Sequence, residues 1–559
     1  MRPIRPLTVA TALACALAAQ SAFAADLPDK AAVTREAEAI LARAWPADGP
    51  GGVVLVARGD EILFKGARGL ADIEGGTPLD VDDTFRLASV TKQFSAAGLL
   101  TLVDEGKVAL DDPLSRYVPG FPNGDAITVR QLLDHTSGIK SYTSIPNYFA
   151  GPVREDLDTA GMIAVFRDLP VDFAPGADWA YNNSGYVLVG AVIEAVTGMP
   201  WHAYLEEALF EPLGMDDTGY GADPEVVAAH VPSYTFADGG WVPSIELSMT
   251  QPHAAGALVS SLGDLLTWNR ALHEGRVLED GTYELMTTPA GPAEKAGYGF
   301  GIFNAQLRGR DMLQHGGDIP GFGTYLVYLP DTDTTVAVLQ NTDRPQGNEE
   351  PTTIGNRLAA IAVGDPYPAP VAIEVDAATL EEAQGVYRVD DEAERILRVV
   401  DGKLTGQRTG GNPAELMPIA KDTFLYADGF NRFELVRNDA GKITGMRFFP
   451  MGEGEGEIAP LTDKPLPAAR VEIEVTPEIA ARVVGDYVQG PATLRIFREE
   501  GQMKAQLTGQ PSFPIFAESD STFFLKVVPA QLVFAPGKVA PSVTLHQGGN
   551  TVVFTRKAG

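Results

Sequence analysis

Apolar runs of four residues, turn dipeptides and helical spacing divide the first 364 residues into strand and helix candidates. Lys30 to Pro46 carries Ala, Glu and Leu at helical spacing and predicts an amphipathic helix. Pro50-Gly51-Gly52 opens the run Val53-Val54-Leu55-Val56, and Arg58-Gly59-Asp60 turns the chain into Glu61-Ile62-Leu63-Phe64, the pattern of a hairpin. Ser89 to Glu105 reads as a helix with Leu99, Leu100, Leu102 and Val103 on its apolar side and Gly106 as its stop. Asp112-Pro113 and Thr128 carry the signals of further helix starts. Tyr186 to Val196 reads as another helix. Strands return at Thr324 to Leu329 and Thr335 to Leu339, on either side of Pro330-Asp331-Thr332-Asp333. Helices inserted between early and late strands predict an α/β domain reaching to about residue 364.

Beyond Asp365-Pro366-Tyr367-Pro368-Ala369-Pro370 the texture changes to short β-rich runs broken by Gly and Asp turns, and the chain repeats itself. Gly385-Val386-Tyr387 recurs as Gly485-Asp486-Tyr487, and Leu404-Thr405-Gly406-Gln407 is echoed by Leu507-Thr508-Gly509-Gln510. Thr423-Phe424-Leu425 matches Thr522-Phe523-Phe524, and Gly441-Lys442-Ile443 matches Gly537-Lys538-Val539. Offsets of 96 to 103 residues are far above solenoid periods. They predict two similar β domains, at 371–462 and 470–559, each closed enough to fold alone. The break between them falls in Leu461 to Arg470.

The length of 559 residues agrees with several domains. Charge narrows the partners: 43 Lys and Arg against 74 Asp and Glu leave a formal net charge of −31, which repels phosphate backbones and anionic lipid. Nucleic acid is excluded on that ground, and a cationic or neutral substrate is mildly favoured. Arg2 and Arg5, the apolar run Leu7 to Ala19 and Ala22-Phe23-Ala24 form the three-part pattern of a secretory signal over 1–24, too short to span a bilayer. The expectation is cleavage after Ala24 and a secreted or periplasmic protein. The one cysteine, Cys15, lies in that segment, so the mature chain offers no disulfide, thiolate nucleophile or Cys-based zinc site.

Ser89-Val90-Thr91-Lys92 is the sharpest local feature. Residues three apart on a helix share a face, so the Lys92 amine can approach the Ser89 oxygen. A buried lysine loses basicity and becomes able to take a serine proton, and a helix N-terminus favours an oxyanion. Alone, such a tetrad is commonly an N-cap beside a surface lysine. Two later segments change that: Trp179-Ala180-Tyr181-Asn182-Asn183-Ser184-Gly185, and Gln314-His315-Gly316-Gly317-Asp318 ahead of Gly321-Phe322-Gly323.

In this order the three motifs resemble those of serine β-lactamases and penicillin-binding proteins, most closely the branch with Tyr-x-Asn as second motif. Leu110-Asp111-Asp112-Pro113-Leu114, Leu132 to Ile139 and Pro212-Leu213-Gly214-Met215 agree, and the resemblance covers about residues 50–345. It implies a domain at 25–364 with an antiparallel sheet flanked by helices. The two-β-domain tail looks like that of the D-aminopeptidase group, which implies antiparallel, lipocalin-like barrels. By the same resemblance Ser89 is the acylated nucleophile and Lys92 its activator. Tyr181, as phenolate or through proton relay, is the general base, and Asn183 holds the substrate amide. The oxyanion hole is the backbone N–H of Ser89 and of Asp318. His315-Gly316-Gly317 departs from the usual Lys-Thr-Gly. A neutral or weakly basic His315 holds a substrate carboxylate less firmly than lysine does, which lowers β-lactams and C-terminal D-Ala peptides as substrates and favours esters, amides and peptides. The resemblance leaves aminopeptidase, esterase and non-catalytic sensor open, in that order of preference.

Other candidates carry less. His135 reads as a loop hydrogen-bonder. The seven histidines show no metal-ligand spacing, and His273-Glu274-Gly275 lacks the second histidine of a zinc-protease helix. No Gly-x-Ser-x-Gly elbow and no nucleotide-binding glycine motif occurs. No cofactor is expected. Tyr487, Phe523, Phe524 and Phe534 read as barrel core.

Overall fold

The computed structural model describes residues 27–557, except 146–147, 238–239, 344–349, 369–370, 391–392, 410, 412, 427–429, 453, 468–471, 491, 500, 509–511, 527–529 and 548–549. The secretory-signal reading and Cys15 lie outside the described residues. The first domain is built on six antiparallel strands: β1 (Gly52–Arg58), β2 (Glu61–Arg68), β3 (Phe303–Leu307), β4 (Arg310–Ile319), β5 (Phe322–Leu329) and β6 (Thr334–Gln340). Their order in the sheet is β3-β4-β5-β6-β1-β2. Early and late segments therefore meet at its centre, with Gly52 opposite Gln340 and Arg58 opposite Thr334.

Both faces of this sheet are covered. Val53, Leu55, Leu326 and Leu339 point into the helical insert, while Val54, Val56, Val327 and Val338 face α1 (Lys30–Ala44) and the last helix of the domain, Pro351–Ala362. That double burial is why β1 reads as a continuous apolar run although the sheet is antiparallel. Alternation marks a strand only when one face is wet. Each fully buried Val or Leu contributes roughly 1.5–3 kcal/mol.

Inside the insert, α2 (Thr91–Asp104) follows a short 3-10 turn at Ala88–Val90, so Ser89 sits in that turn rather than at the α-helix cap. The predicted apolar stripe understates its setting: Thr91 through Leu100 are all buried, and Val103 is only half-buried. The polar residues on α2 are satisfied inside, Gln93 accepting from Trp268 Nε1 at 3.1 Å and Ser95 donating to Ala254 O at 2.7 Å. Thr128 caps Val129–Leu133 with a capping box, as its spacing predicts. Asp112-Pro113 starts no α-helix. The Asp112 carboxylate instead accepts from Ala109 N, Arg116 and Tyr117, closing a turn before a single 3-10 turn at Leu114–Arg116.

The serine turn is held from two sides. Leu87 N donates to Leu258 O at 2.8 Å, and Thr324 Oγ1 on β5 donates to Leu87 O at 2.8 Å. Gly317 on β4 lies against the same turn, where a Cβ would run into Leu87 O and the Thr324 hydroxyl. Only glycine permits this approach of the strand to the Ser89 turn.

The tail forms two eight-stranded antiparallel units in meander order. The strands from Gly385–Arg388 to Glu457–Pro460 nearly close, first and last meeting at a bridge between Tyr387 and Leu461. Those from Gly485–Gln489 to Asn550–Arg556 close fully. Each is entered through a seven-residue helix, Ala377–Ala383 or Pro477–Val483. The repeat is structural: Tyr387 and Tyr487 open equivalent strands, and each hydroxyl donates to the carbonyl four residues earlier, Ala383 O or Val483 O, at 2.7 Å. One sequence echo is out of phase. Thr508 pairs with Thr493 as Thr409 does with Glu394, so the counterpart of Thr508 is Thr409, not Thr405. Tyr487, Phe523 and Phe534 fill the second core. Phe430 of the first barrel packs against Tyr367, centroids 4.5 Å apart, and under Arg357 of the first domain at 5.2 Å.

Two variants test these constraints. Gly317→Ala, forced away from Leu87, is expected to destabilise the protein by about 1–3 kcal/mol and to lower ester hydrolysis, measured by denaturant titration and initial rates. Tyr387→Phe leaves Ala383 O unpaired and is expected to cost the first barrel about 1–2 kcal/mol with no change in hydrolysis.

Candidate active site

Three segments distant in sequence meet on one amine. Lys92 is fully buried, and its Nζ lies 3.1 Å from Ser89 Oγ, 2.8 Å from Asn183 Oδ1 and 2.9 Å from Ala255 O. Burial alone drives its pKa well below the usual lysine range. In its neutral form the amine has two N–H donors and one lone pair. Asn183 Oδ1 and Ala255 O can only accept, so they take both N–H groups and leave the lone pair directed at the Ser89 hydroxyl.

Asn183 is the first residue of α3 (Asn183–Thr197), whose cap, Asn182, accepts from Gly185 N at 2.8 Å. Its amide oxygen faces Lys92 and its nitrogen donates to Thr143 Oγ1 at 3.1 Å. The amide is thus engaged by protein on both sides, and its first task here is to hold Lys92. Tyr181 stands beside Ser89, and its ring centroid lies 4.7 Å from Lys92 Nζ. Burial raises the Tyr181 pKa well above the ordinary phenol value, favouring phenol over phenolate.

The third motif lies on β4. His315 is 2% exposed, with Nδ1 2.6 Å from Gly316 O and Nε2 3.3 Å from Tyr298 Oη. The first contact fixes the proton on Nδ1, so Nε2 accepts from the phenol. Burial, and then the nearby Lys92, push its pKa down to about 3. His315 is therefore a neutral ring held by protein on both nitrogens. Uncharged and held on both nitrogens, it offers a substrate carboxylate no cation.

Ser89, Asn183 and Asp318 share a small cavity of about 80 Å³, walled by Tyr142, Phe149, Val153, Leu247 and Ile319. His315 and Gly317 are not among its described lining residues, Gly317 acting as a spacer behind the serine turn. Asp318 is exposed at the rim. Burial and the charges of Asp318 and Asp343 raise the carboxyl pKa of Glu350, so this side is acidic. Among the described residues, no group of three or more His, Cys, Asp or Glu is placed to hold a metal ion, and no helix is long and apolar enough to cross a membrane.

His135 is more than a loop hydrogen-bonder. Its Nδ1 accepts from Asn182 N at 3.2 Å, and its ring lies 4.5 Å from both Tyr181 and Tyr298. Nε2 has no hydrogen-bond partner and sits among aromatic rings. His135 thereby braces the turn that carries Tyr181 and Asn183. Sequence reasoning missed Tyr298 and Ala255. Tyr298 stands in the glycine-punctuated stretch Gly297 to Gly301, which is a usable signal, but Ala255 contributes only its carbonyl and leaves none.

The Beta-lactamase family model matches residues 38–361. Penicillin-binding protein 4* of Bacillus subtilis is 27% identical over 67% of this chain and 87% of its own length. Esterase EstB of Burkholderia gladioli is 39% identical over 31% of this chain and 48% of its length. A D-aminopeptidase of Gluconobacter oxydans is 27% identical over 52% and 56%. The chain thus spans about half the length of the last two. Among solved structures, a D-stereospecific amidohydrolase from Streptomyces sp. superposes with a TM-score of 0.51 at 30% identity, over 59% of this chain and 98% of that one. Family match and fold together place this chain in the β-lactamase family, as a hydrolase of the serine β-lactamase superfamily.

Proposed function

We propose that the protein is an exported serine hydrolase that forms an acyl-enzyme on Ser89 and cleaves amide or ester bonds of small substrates, with D-aminopeptidase-like preference. The observation that carries this reading is the Lys92 amine, buried and pinned by Asn183 Oδ1 and Ala255 O with its third direction on Ser89 Oγ.

Ser89 Oγ attacks the substrate carbonyl carbon as its proton passes to Lys92 Nζ. The carbonyl π pair moves onto oxygen, where the backbone N–H groups of Ser89 and Asp318 stabilise it. Collapse restores the carbonyl and breaks the bond to the leaving amine or alcohol. That group takes its proton from the Tyr181 hydroxyl, which Lys92 reprotonates. Water then attacks the ester through the same relay and frees Ser89. Tyr181 acts as a relay because its phenol stays protonated.

Substrate class follows from the rim. A neutral, sealed His315 supplies no positive charge for a carboxylate, while Asp318, Asp343 and Glu350 favour a substrate ammonium group. The small apolar cavity suits a compact acyl side chain. Names among the relatives point the same way, with the esterase of Burkholderia gladioli supporting ester cleavage by the same chemistry. Export rests on the N-terminal charge and hydropathy pattern. N-terminal sequencing of the protein from its native host is expected to begin at Ala25.

A panel of D-amino-acid amides, short acyl esters and a chromogenic cephalosporin tests the preference. Amides or esters bearing a free amine are expected to show the highest kcat/KM, and a cephalosporin turned over far better than these would refute it. Ser89→Ala is expected to lower p-nitrophenyl acetate hydrolysis at least ~10³-fold. For His135, Asn keeps an acceptor near Nδ1 and tolerates the residue's positive φ of 64°. His135→Asn is expected to retain most kcat, and His135→Ala to lose roughly 10-fold or more with little change in KM. Equal losses would remove the bracing role.

A further inference from the structure

A second cavity, about 710 Å³, does not adjoin Ser89. It opens beside the C-terminal part of α3, where Glu194 stands eleven residues beyond Asn183, about 16 Å along the helix. Its walls are aromatic and acidic. His202 and Tyr220 stack face to face with centroids 4.1 Å apart, Trp201 meets Tyr220 edge-on at 5.6 Å, and Glu194 and Asp158 supply carboxylates. No lysine or arginine is among its described lining residues. Burial lowers the pKa of both imidazoles on its wall, His202 and His253, so neither offers a counter-charge to an anion. The charges of Glu194 and Asp156 both reach Tyr220, after burial, in raising its phenol to about 12.

Two hydrogen bonds and a backbone turn lead from this cavity to the Lys92 amine. Thr159 Oγ1 donates to Glu194 Oε1 at 3.0 Å, and the same oxygen lies 3.0 Å from His253 Nε2. Since the Thr159 proton goes to the carboxylate, His253 donates through Nε2, leaving Nδ1 as the unpartnered buried atom beside Gly190. His253 has φ +48° and begins the turn His253–Ala255, whose last carbonyl holds Lys92 Nζ. The charge on Glu194 thus sets the proton arrangement that anchors a strained turn under Lys92.

We propose that this cavity is a second ligand site, taking a small organic ammonium ion with a flat apolar body, and that its occupancy reaches Lys92 through Glu194, Thr159 and His253. The volume is that of a small-molecule site. Aromatic faces beside carboxylates favour a cation over a neutral or anionic molecule of the same shape. A cation on Glu194 weakens its pull on Thr159 and loosens the His253 turn. The binding claim is independent of the proposed hydrolysis; the coupling claim rests on it.

The test uses the full chain with 2-phenylethylammonium as probe and 2-phenylethanol as its neutral counterpart, in calorimetric titrations. Binding of the cation at one site, at least 10-fold tighter than the alcohol, is expected. Glu194→Gln keeps an acceptor for Thr159 and should weaken the cation at least 10-fold. Ala160→Trp, at an exposed lining position, should abolish binding; melting temperatures confirm that both variants fold. Saturating cation should lower kcat for p-nitrophenyl acetate at least two-fold without raising KM, and Thr159→Val should keep binding but lose that effect. No binding to the native chain, or binding untouched by Glu194→Gln and Ala160→Trp, would overturn the site. Binding that raises KM alone, or leaves kcat unchanged, would overturn the coupling.

Discussion

The structure of the first domain depends on keeping one lysine amine out of water. Desolvating an ammonium without a carboxylate costs several kcal/mol, which shifts the group toward its neutral form. Three chain segments then converge to use the neutral amine: the 3-10 turn of Ser89, the start of α3 at Asn183 and the His253–Ala255 turn. Of seven described non-glycine residues with positive φ, three serve these contacts: Ala88 precedes Ser89, His135 holds Asn182, and His253 leads to Ala255. Such backbone costs about 1–3 kcal/mol at each position. It persists because α2 is buried nearly all round and the sheet behind it on both faces.

The third motif follows from the same constraint. Gly317 must lack a side chain because β4 runs against the turn that delivers Ser89. His315 is buried beside Lys92; burial keeps its ring neutral, and Tyr298 and Gly316 take its nitrogens. Replacing the family's usual lysine by this ring removes a fixed positive charge from the site. Asp318 at the cavity rim, with Asp343 and Glu350 near it, leaves this side acidic, in keeping with a chain of net charge −31.

Much of this was legible in the sequence because side chains at fixed spacing carry it. Ser89 and Lys92 meet because three residues make one helical turn. The strand pattern placed β1, β5 and β6, and the barrel repeat shows in Tyr387 and Tyr487 because each makes the same local hydrogen bond. Contacts made by backbone left no trace, as with Ala255 O on Lys92. Spacing also failed where a side chain found partners within its own turn, as Asp112 did, and where two similar strings fell in different phases, as at Thr405 and Thr508. Periodicity cannot see that α2 is buried nearly all round, since enclosure depends on segments about 160 residues away.

The protonation state of Lys92 is read most directly as the pH dependence of the pre-steady-state acylation rate of Ser89 by p-nitrophenyl acetate. A neutral, buried amine predicts a rate that rises and levels off well below 10.5, the ordinary lysine value, with the rise lost in Lys92→Ala. A rate that climbs only through the ordinary lysine range, or a profile that Lys92→Ala leaves unchanged, would contradict it.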